Sequence, residues 1–281
     1  MGRIGGLVRI IRPVNALMLG LGILVGVVIT GGLTSTIPSF YLALAFVTGF
    51  TLTGSAMAVN DYYDREIDAI NEPNRPIPSG SVKPREALAL SALLSITGLV
   101  SAWATSLECL EVALFAWIVM MVYSSWGKRT GFPGNLMVST CIALPFVYGG
   151  LLTSNTRPAL LFSLLAFLSN TGREATKGIV DIDGDQKEGV RTLAVSLGPR
   201  AASLAAVFFY LLAVAASVFP LYLGLVSVWY VPFVVVTDFG LIYGSVILLR
   251  EPSRENSRRV KNSVLYWMLM GLLAFAAGGL F

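Results

Sequence analysis

Long apolar stretches recur along the whole chain, and each is about as long as a helix must be to cross a lipid bilayer. A transmembrane helix needs about 20 predominantly apolar residues. Nine stretches of this kind lie near residues 13–31, 38–60, 86–106, 109–126, 135–153, 158–174, 199–219, 227–249 and 262–281. The sequence therefore predicts an all-α polytopic membrane protein with nine transmembrane helices.

The composition supports this fold class and excludes several functions. Apolar residues make up 55% of the 281 residues and charged residues only 13%, whereas soluble proteins have about 25% charged residues. So few charges cannot cover a water-facing surface, which excludes a soluble enzyme or a nucleic-acid-binding domain despite the net charge of +4. The chain has no histidine, so His-ligated metal sites and histidine acid–base chemistry are excluded. The two cysteines, Cys109 and Cys141, lie in apolar stretches and predict no disulfide framework.

Lysine and arginine are distributed unevenly between the two sets of loops. Nineteen of the twenty lie before the first span or in the loops after the second, fourth, sixth and eighth spans, and only Arg157 lies in the other set. Because basic residues favour the cytoplasmic side, we expect a cytoplasmic N-terminus and an external C-terminus. No loop is left for a soluble second domain, so residues 1–281 are predicted to form a single transmembrane domain.

Acidic residues concentrate in two stretches on the predicted cytoplasmic side. Eleven of the sixteen lie within residues 61–86 and 174–188. Each stretch contains two aspartates spaced i, i+4 that an arginine follows in the chain, and the second pair follows the first by 117 residues: Asp64, Asp68 and Arg75, and Asp181, Asp185 and Arg191. This pattern indicates a weak internal repeat whose motif loops are 60–85 and 173–191.

The spacing of these acids predicts metal binding. Residues at i, i+4 and i+8 share one helix face, which places Asn60, Asp64 and Asp68 in a row with no basic residue interleaved. Such a row of oxygens suits Mg²⁺ whose other ligands are waters and phosphate oxygens, and the ligand pattern of an EF-hand calcium loop is absent. The second motif offers Asp181 and Asp185 on one face. We predict these five residues as Mg²⁺ ligands and the four aspartates as catalytic residues.

Basic residues near both motifs are suited to a diphosphate. Arg75 lies in the proline- and glycine-rich turn 71–80, which cannot continue a helix and can return this arginine to the first motif. Lys128, Lys177 and Arg191 lie on the same predicted side. Metal ions together with converging cations stabilise a diphosphate. Each of these residues alone is also explained by the cytoplasmic preference of basic residues.

Several segments resemble the UbiA family of intramembrane prenyltransferases over essentially the whole chain. They are NDYYDREID (60–68), NEPNRPIPSG (71–80), YSSWGKR (123–129) followed by Gly134 and Asn135, GREATKGIVDIDGDQKEGVRTLAVSLG (172–198), and the start of the first helix at residues 12–15. The resemblance implies a nine-helix bundle with a lipid-facing cavity, Mg²⁺ and a prenyl diphosphate. The matched motifs imply these substrate-binding residues: Asn15, Asn60, Arg75, Tyr123, Lys128, Arg173, Lys177 and Arg191.

Within the family, the chain resembles archaeal members that transfer a geranylgeranyl group to geranylgeranylglyceryl phosphate. The resemblance implies geranylgeranyl diphosphate as the donor and an isoprenoid glycerol phosphate as the acceptor, with an ether lipid as the product. An aromatic acceptor such as 4-hydroxybenzoate is the alternative within the family. The resemblance implies an acid where this chain has Gly178, so the second motif is expected to hold its metal with fewer carboxylates. Either a neighbour such as Asp183 replaces the missing acid, or the metal affinity is reduced.

A transporter is the main alternative outside the enzymes. Transporters place charged residues at the bilayer midplane on broken helices, whereas these acids cluster at one membrane face and only Asp238 is predicted mid-span. Asp238 is either a contact to the acceptor or metal, or a hydrogen-bonded packing residue, because a buried acid in a membrane is costly. The compact aspartate run of the CDP-alcohol phosphotransferases is absent. The one-sided acids therefore favour a prenyltransferase.

Overall fold

The computed structural model describes residues 2–31, 37–187 and 189–280, and all regular structure within these residues is helical. One 3-10 turn, Gly127–Thr130, accompanies the α-helices. The α-helices are α1 (Arg3–Ile10), α2 (Pro13–Ile29), α3 (Ser39–Tyr63), α4 (Arg65–Asn71), α5 (Pro84–Thr105), α6 (Leu107–Ser125), α7 (Phe132–Leu152), α8 (Thr156–Val180), α9 (Ile182–Lys187), α10 (Leu193–Leu197), α11 (Pro199–Ala216), α12 (Phe219–Tyr222), α13 (Tyr230–Arg250) and α14 (Arg254–Leu280).

Seven described helices are long and apolar enough to cross a membrane. They are α3, α5, α6, α7, α13, α14 and the run Pro199–Tyr222, which joins α11 and α12. Helices α1 and α2, bent by 41° against each other, add an eighth span if they cross together. Helix α8 occupies the predicted segment 158–174 but is not among the seven, because its last turns carry Arg173, Glu174 and Lys177. The all-helical membrane fold is confirmed, and the count of nine spans stays a prediction.

The outer surface of these helices is apolar. Trp103 on α5 is 68% exposed and Phe239 on α13 is 69% exposed, and many other large apolar side chains are exposed in the same way. Exposed apolar surface on this scale marks contact with lipid or a partner rather than with water. This agrees with the spans that the apolar stretches predict.

The first of two compact units has the described residues 2–24 and 37–125. Its helices α3, α5 and α6 are joined by a buried polar network: the Ser55 hydroxyl bonds to those of Ser91 at 2.8 Å and Ser95 at 2.7 Å, and the Trp117 indole donates to Ser95 at 2.8 Å. These partners satisfy polar groups that water cannot reach. A small apolar cluster of Ile10, Ala58, Ile77, Val82 and Ala87 packs α1 and the loop after α4 against α3 and α5.

The second unit has the described residues 25–31, 126–187 and 189–280. Helix α8 is buried along most of its length and packs against α7, α11 and α14. The Thr176 hydroxyl on α8 and the buried Tyr210 hydroxyl on α11 are 2.9 Å apart. Ile179, Ala194 and Ala202 form an apolar cluster that joins the end of α8 to α10 and the first turn of α11. This cluster fixes the backbone from which the second acidic motif continues.

Candidate active site

The first acidic motif spans the junction of helices α3 and α4. The junction preserves helical hydrogen bonding, because the Asp64 N–H donates to Asn60 O at 2.9 Å and the Asp68 N–H donates to Asp64 O at 2.8 Å. The side chains follow the same direction, and Asn60 Nδ2 donates to Asp64 Oδ2 at 2.9 Å. The predicted alignment of these three residues on one helix face is therefore confirmed.

The turn after α4 returns Arg75 to the acidic row, as the sequence predicts. Arg75 Nη1 lies 2.6 Å from Asp68 Oδ2 and 3.6 Å from Asp61 Oδ1. Backbone hydrogen bonds shape the turn, from the Arg75 N–H to Glu72 O at 2.9 Å and from the Ser79 N–H to Arg75 O at 3.0 Å. A single guanidinium thus contacts two buried carboxylates at once.

Arg12 and Asp61 form a pair that sequence reasoning missed. Arg12 Nη2 donates to Asp61 Oδ1 at 2.7 Å, and Asp61 is only 3% exposed. Arg12 occupies the bend between α1 and α2 with φ of 47°, in a left-handed conformation that is rare for a residue with a side chain. The position of Asp61 three residues before Asp64 placed it beside the row. Its partner lies 49 residues earlier, and no local pattern connects the two.

Burial and charge oppose each other in this cluster. Burial raises the pKa of the Asp68 carboxyl above its usual value, Arg75 acts against this increase, and the nearby Asp64 and Asp61 add to it. Burial alone would lower the pKa of Arg75, but its contacts with Asp68, Asp61 and Asp64 raise it. Two arginines, Arg12 and Arg75, thus offset the negative charge of these three acids. They supply the positive charge that the helix lacks between its acidic residues.

The second motif lies where α8 ends and α9 begins. The Asp185 N–H donates to Asp181 O at 2.9 Å, so the two aspartates are one helical turn apart, and both are partly buried. Asp183 points elsewhere, as the sequence predicts for a helical segment, since it is exposed and lies 3.4 Å from Arg254. Glu188, the last acid of this stretch, lies outside the described residues.

Glu174 is a second residue that sequence reasoning did not assign to the site. It is 6% exposed and forms ion pairs with Arg173 at 3.1 Å and Lys177 at 3.4 Å. The Arg173 Nε is buried and has no hydrogen-bond partner among the described residues. One buried carboxylate thus holds together two of the predicted substrate-binding cations. The sequence signal for this was available, because Glu174 directly follows Arg173 and precedes Lys177 by three residues.

Lys128 and Arg191 belong to neighbouring backbone segments of the second unit. Gly131, which follows the 3-10 turn of Lys128, has φ of 71°. A Cβ on this glycine would lie 2.0 Å from Arg191 O and 3.1 Å from Thr192 Cα. Because only glycine permits this approach, the turn that carries Lys128 lies directly against the segment of Arg191.

Three further predicted features have less direct support from the geometry. Asn15 is exposed in the first turn of α2, where its N–H donates to Arg12 O at 2.9 Å, and Tyr123 is partly buried near the end of α6.

Gly178 is buried, and a Cβ there would lie 3.7 Å from Thr192 Cβ, an ordinary contact distance. The backbone at Gly178 therefore has room for the start of the acidic side chain that the sequence resemblance implies at this position.

The mid-span acid Asp238 accepts a hydrogen bond from a neighbouring helix end in the second unit. The Ser217 hydroxyl donates to Asp238 Oδ2 at 2.7 Å, and the Tyr230 hydroxyl donates to Ser217 O at 3.0 Å. Ser217 follows the last residue of α11, whereas the first turn of α11 packs on the end of α8 beside the second motif. The 18 residues of α11 separate these ends by about 27 Å, which supports the packing interpretation over a role in the chemistry.

The residues of both motifs fit Mg²⁺ that is shared with a phosphate ligand. Among the described residues, no three acidic or cysteine side chains are grouped to hold a metal ion by themselves. Mg²⁺ usually keeps several waters and takes one or two carboxylates together with substrate phosphates. The row of Asn60, Asp64 and Asp68 and the pair of Asp181 and Asp185 offer partial shells of this kind.

Comparison with known proteins identifies relatives over nearly the full length. Residues 19–276 match the UbiA prenyltransferase family. A digeranylgeranylglyceryl phosphate synthase of Methanosphaera stadtmanae is 33% identical over 273 residues, which cover 97% of this chain and 98% of that protein. The enzyme of the same name from Korarchaeum cryptofilum is 38% identical over 279 residues, which cover 97% and 96%. The resemblance seen in the sequence motifs is confirmed.

Solved structures agree with this result. One, described as "Structural and mechanistic insights into the biosynthesis of Digeranylgeranylglyceryl phosphate synthase in membranes", has a TM-score of 0.85 and 31% identity, and the match covers 100% of this chain and 99% of that one. A UbiA homolog from Archaeoglobus fulgidus bound to DMAPP and Mg²⁺ has a TM-score of 0.65 and 18% identity over 97% of both chains, and it shows the shared fold alone. The chain is a multi-pass membrane protein that belongs to the UbiA prenyltransferase family.

Proposed function

We propose that this prenyltransferase transfers a geranylgeranyl group from geranylgeranyl diphosphate to the hydroxyl of geranylgeranylglyceryl phosphate, in membrane lipid biosynthesis. The similarity of nearly the whole chain to proteins named digeranylgeranylglyceryl phosphate synthase carries this proposal. The family match runs through both compact units, which supports the proposal that residues 1–281 act as one prenyltransferase domain.

In the proposed reaction the bond between C1 of the prenyl chain and the diphosphate oxygen breaks. The electron pair leaves with the diphosphate, the acceptor hydroxyl oxygen bonds to C1, and the released diphosphate is a base that can take up the hydroxyl proton. Negative charge grows on the leaving group, so cations already in place lower the barrier. Arg75 is suited to this role, because Asp68 and Asp61 hold its guanidinium in a fixed orientation.

We propose Mg²⁺ as the cofactor, with Asn60, Asp64, Asp68, Asp181 and Asp185 as the residues that would hold it. Bound Mg²⁺ would neutralise charge on the diphosphate. The partial ligand shells of the two motifs support this proposal, as does a UbiA homolog of the same fold described as bound to DMAPP and Mg²⁺.

The remaining cations would bind the diphosphate or the phosphate of the acceptor. Lys128 and Arg191 are candidates because their backbone segments are in contact. Arg173 and Lys177 are candidates because the buried Glu174 fixes both side chains. The sequence motifs add Asn15, Asn60 and Tyr123 as substrate-binding residues.

The proposed activity predicts one product. Purified protein with geranylgeranyl diphosphate and Mg²⁺ is expected to convert geranylgeranylglyceryl phosphate into its digeranylgeranyl ether and to release one diphosphate per ether formed, as followed by mass spectrometry. The same mixture with 4-hydroxybenzoate is expected to give no prenylated product. Prenylation of the aromatic acid without ether formation would assign the chain to the alternative acceptor class.

Replacing Arg75 by alanine is expected to lower kcat/KM by about tenfold to a hundredfold, because one charge-assisted contact is worth about 1.5–3 kcal/mol. The loss of Arg75 also removes the cation that restrains the pKa of Asp68. Asp68 would then take up a proton at higher pH, and the acidic limb of the activity profile is expected to shift to higher pH.

The matched control for Arg75 is Arg85→Ala. Arg85 is an exposed arginine in the first turn of α5, with no ion pair among the described residues. Replacing Arg85 is expected to change kcat/KM by less than about twofold. Its position is explained by the general preference of basic residues for one membrane side. Equal effects of the two substitutions on activity per folded molecule would remove Arg75 from the site.

We propose that both motifs lie on the cytoplasmic side, with the N-terminus in the cytoplasm and the C-terminus outside. The loop positions of nineteen of the twenty basic residues support this orientation. Single cysteines at the exposed positions Ser79 and Gln186 are expected to react with a membrane-impermeant maleimide from the cytoplasmic side, and one at the exposed Leu223 from outside. The parent chain, with Cys109 and Cys141, serves as the unlabelled control. Labelling of Ser79 and Gln186 positions from opposite sides would contradict the proposal.

A further inference from the structure

A groove between helices α13 and α14 lies outside both acidic motifs and has no part in the proposed reaction. Its volume is about 550 Å³. The lining runs from Gly240 and Trp267 at one end, past apolar side chains such as that of Ile247, to Arg250, Asn256 and Arg259 at the other end. A cavity with one apolar and one cationic end suits an amphiphile with an anionic head group.

The length of the groove corresponds to one leaflet of a bilayer. At its apolar end the Trp267 ring packs directly on α13, where a Cβ on Gly240 would lie 2.3 Å from the ring. At its polar end the lining includes Arg250, the last residue of α13. The ten steps along α13 from Gly240 to Arg250 rise about 15 Å, which is half of the roughly 30 Å hydrocarbon thickness of a bilayer.

The polar end carries more positive than negative charge. The exposed Arg250 side chain has no hydrogen bond or ion pair with any described residue. Arg259 uses only Nη2, which donates to Glu255 at 2.5 Å. The one carboxylate in the lining belongs to Glu251, which accepts a hydrogen bond from Asn256 Nδ2 at 3.4 Å. Two guanidinium groups therefore have N–H donors available at the mouth.

The groove opens at the end of the second unit where the second acidic motif lies. Arg254, the first residue of α14, lies 3.4 Å from Asp183, and the Ser203 hydroxyl near the start of α11 donates to Leu248 O at 2.8 Å. The general preference of basic residues for the cytoplasmic side does not by itself explain why arginines line the polar end of the groove. Arg258 belongs to the same helical turn as Arg259 and does not line the groove.

We propose that this groove binds an anionic phospholipid of the surrounding bilayer. The phosphate is held by Arg250 and Arg259, whose planar guanidinium groups match phosphate oxygens in a two-pronged geometry. One hydrocarbon chain lies along Ile247 and against Trp267. The site is separate from the acidic motifs, so lipid binding does not require the proposed reaction.

Native mass spectrometry of the full chain, with phosphatidylglycerol or phosphatidylcholine added to the detergent, tests this site. The intact protein is expected to bind phosphatidylglycerol more tightly. The double variant Arg250→Gln with Arg259→Gln is expected to weaken phosphatidylglycerol binding on the order of twentyfold, at about fivefold for each arginine. Arg258→Gln, which removes one positive charge beside the groove, is expected to change phosphatidylglycerol binding by less than about twofold, against about fivefold for each groove arginine.

Further experiments distinguish lipid binding in the groove from attraction to surface charge and from binding of other phosphate compounds. Ser263→Phe fills the groove without changing charge, since Ser263 lines it, and is expected to weaken phosphatidylglycerol binding about as much as the double variant. Equal loss in Arg258→Gln, or no loss in Ser263→Phe, would overturn the proposal. Displacement of the lipid by millimolar inorganic phosphate would assign the arginines to a phosphate ion. A tenfold preference for geranylgeranylglyceryl phosphate would assign the groove to the acceptor. Either result would also overturn a phospholipid site.

Discussion

Asp68→Asn is expected to reduce kcat/KM for prenyl transfer by roughly a hundredfold to a thousandfold, the loss that follows removal of one group that stabilises developing charge. The substitution keeps the size of the side chain but removes the negative charge. A neutral amide is a poorer Mg²⁺ ligand, and Arg75 loses the carboxylate that lies 2.6 Å away and orients it. Activity per folded molecule, measured against Mg²⁺ concentration, checks the prediction.

Glu66→Gln is the matched control for Asp68→Asn. Glu66 precedes Asp68 by two residues on the same short helix, but its side chain is 83% exposed and pairs only with the neighbouring Arg65 among the described residues. Removing this charge is expected to leave kcat/KM within about twofold. If Asp68→Asn lowers the melting temperature while activity per folded molecule stays within threefold, the carboxylate has a structural role only.

Removal of divalent metal is expected to reduce turnover to below about 1% of its initial value, and added Mg²⁺ is expected to restore it. The leaving diphosphate carries several negative charges that the arginines and lysines alone leave poorly neutralised. Turnover is measured after dialysis against EDTA and then during titration with MgCl₂. Ca²⁺ is expected to restore little activity, because it prefers more ligands at longer distances than Mg²⁺ does.

The control is protein dialysed against EDTA that was saturated with Mg²⁺ beforehand, which shows any effect of the chelator itself. Binding of geranylgeranyl diphosphate, measured by calorimetry, gives a readout that does not depend on turnover, and its affinity is expected to fall in parallel when the metal is removed. Unchanged turnover in excess free EDTA would exclude the proposed metal sites in both motifs.

Seven of the nine predicted apolar runs correspond to described helices that are long and apolar enough to cross a membrane, but the ends of the helices were not predictable. The run predicted at 262–281 belongs to helix α14, which begins at Arg254, and the run predicted at 158–174 belongs to helix α8, which continues to Val180. Hydropathy detects where lipid contact is favourable, whereas the backbone hydrogen bonds of a helix continue into polar surroundings. A prediction based on the length of apolar runs therefore misses the charged turns at the ends of these helices.

The parts of the site that depend on local spacing were also predictable. The i, i+4 row of Asn60, Asp64 and Asp68 follows from helix geometry, and the short turn after α4 brings Arg75 back. The contact of Arg12 with Asp61 was not predictable, because tertiary packing alone brings together residues 49 positions apart. The Lys128 turn and the Arg191 segment meet for the same reason, through a backbone approach that depends on one glycine.

The ion pair at the bend between α1 and α2 has a mechanical consequence. Helix α1 is short and carries exposed apolar side chains such as Ile4 and Val8 beside its arginines, as helices that rest at a lipid–water interface do. Its tilt relative to α2 cannot change freely, because Arg12 in the bend would have to leave the buried Asp61 carboxylate without its nearest donor. We therefore expect the tilt of α1 and the position of the Asp61 carboxylate beside the acidic row to change together.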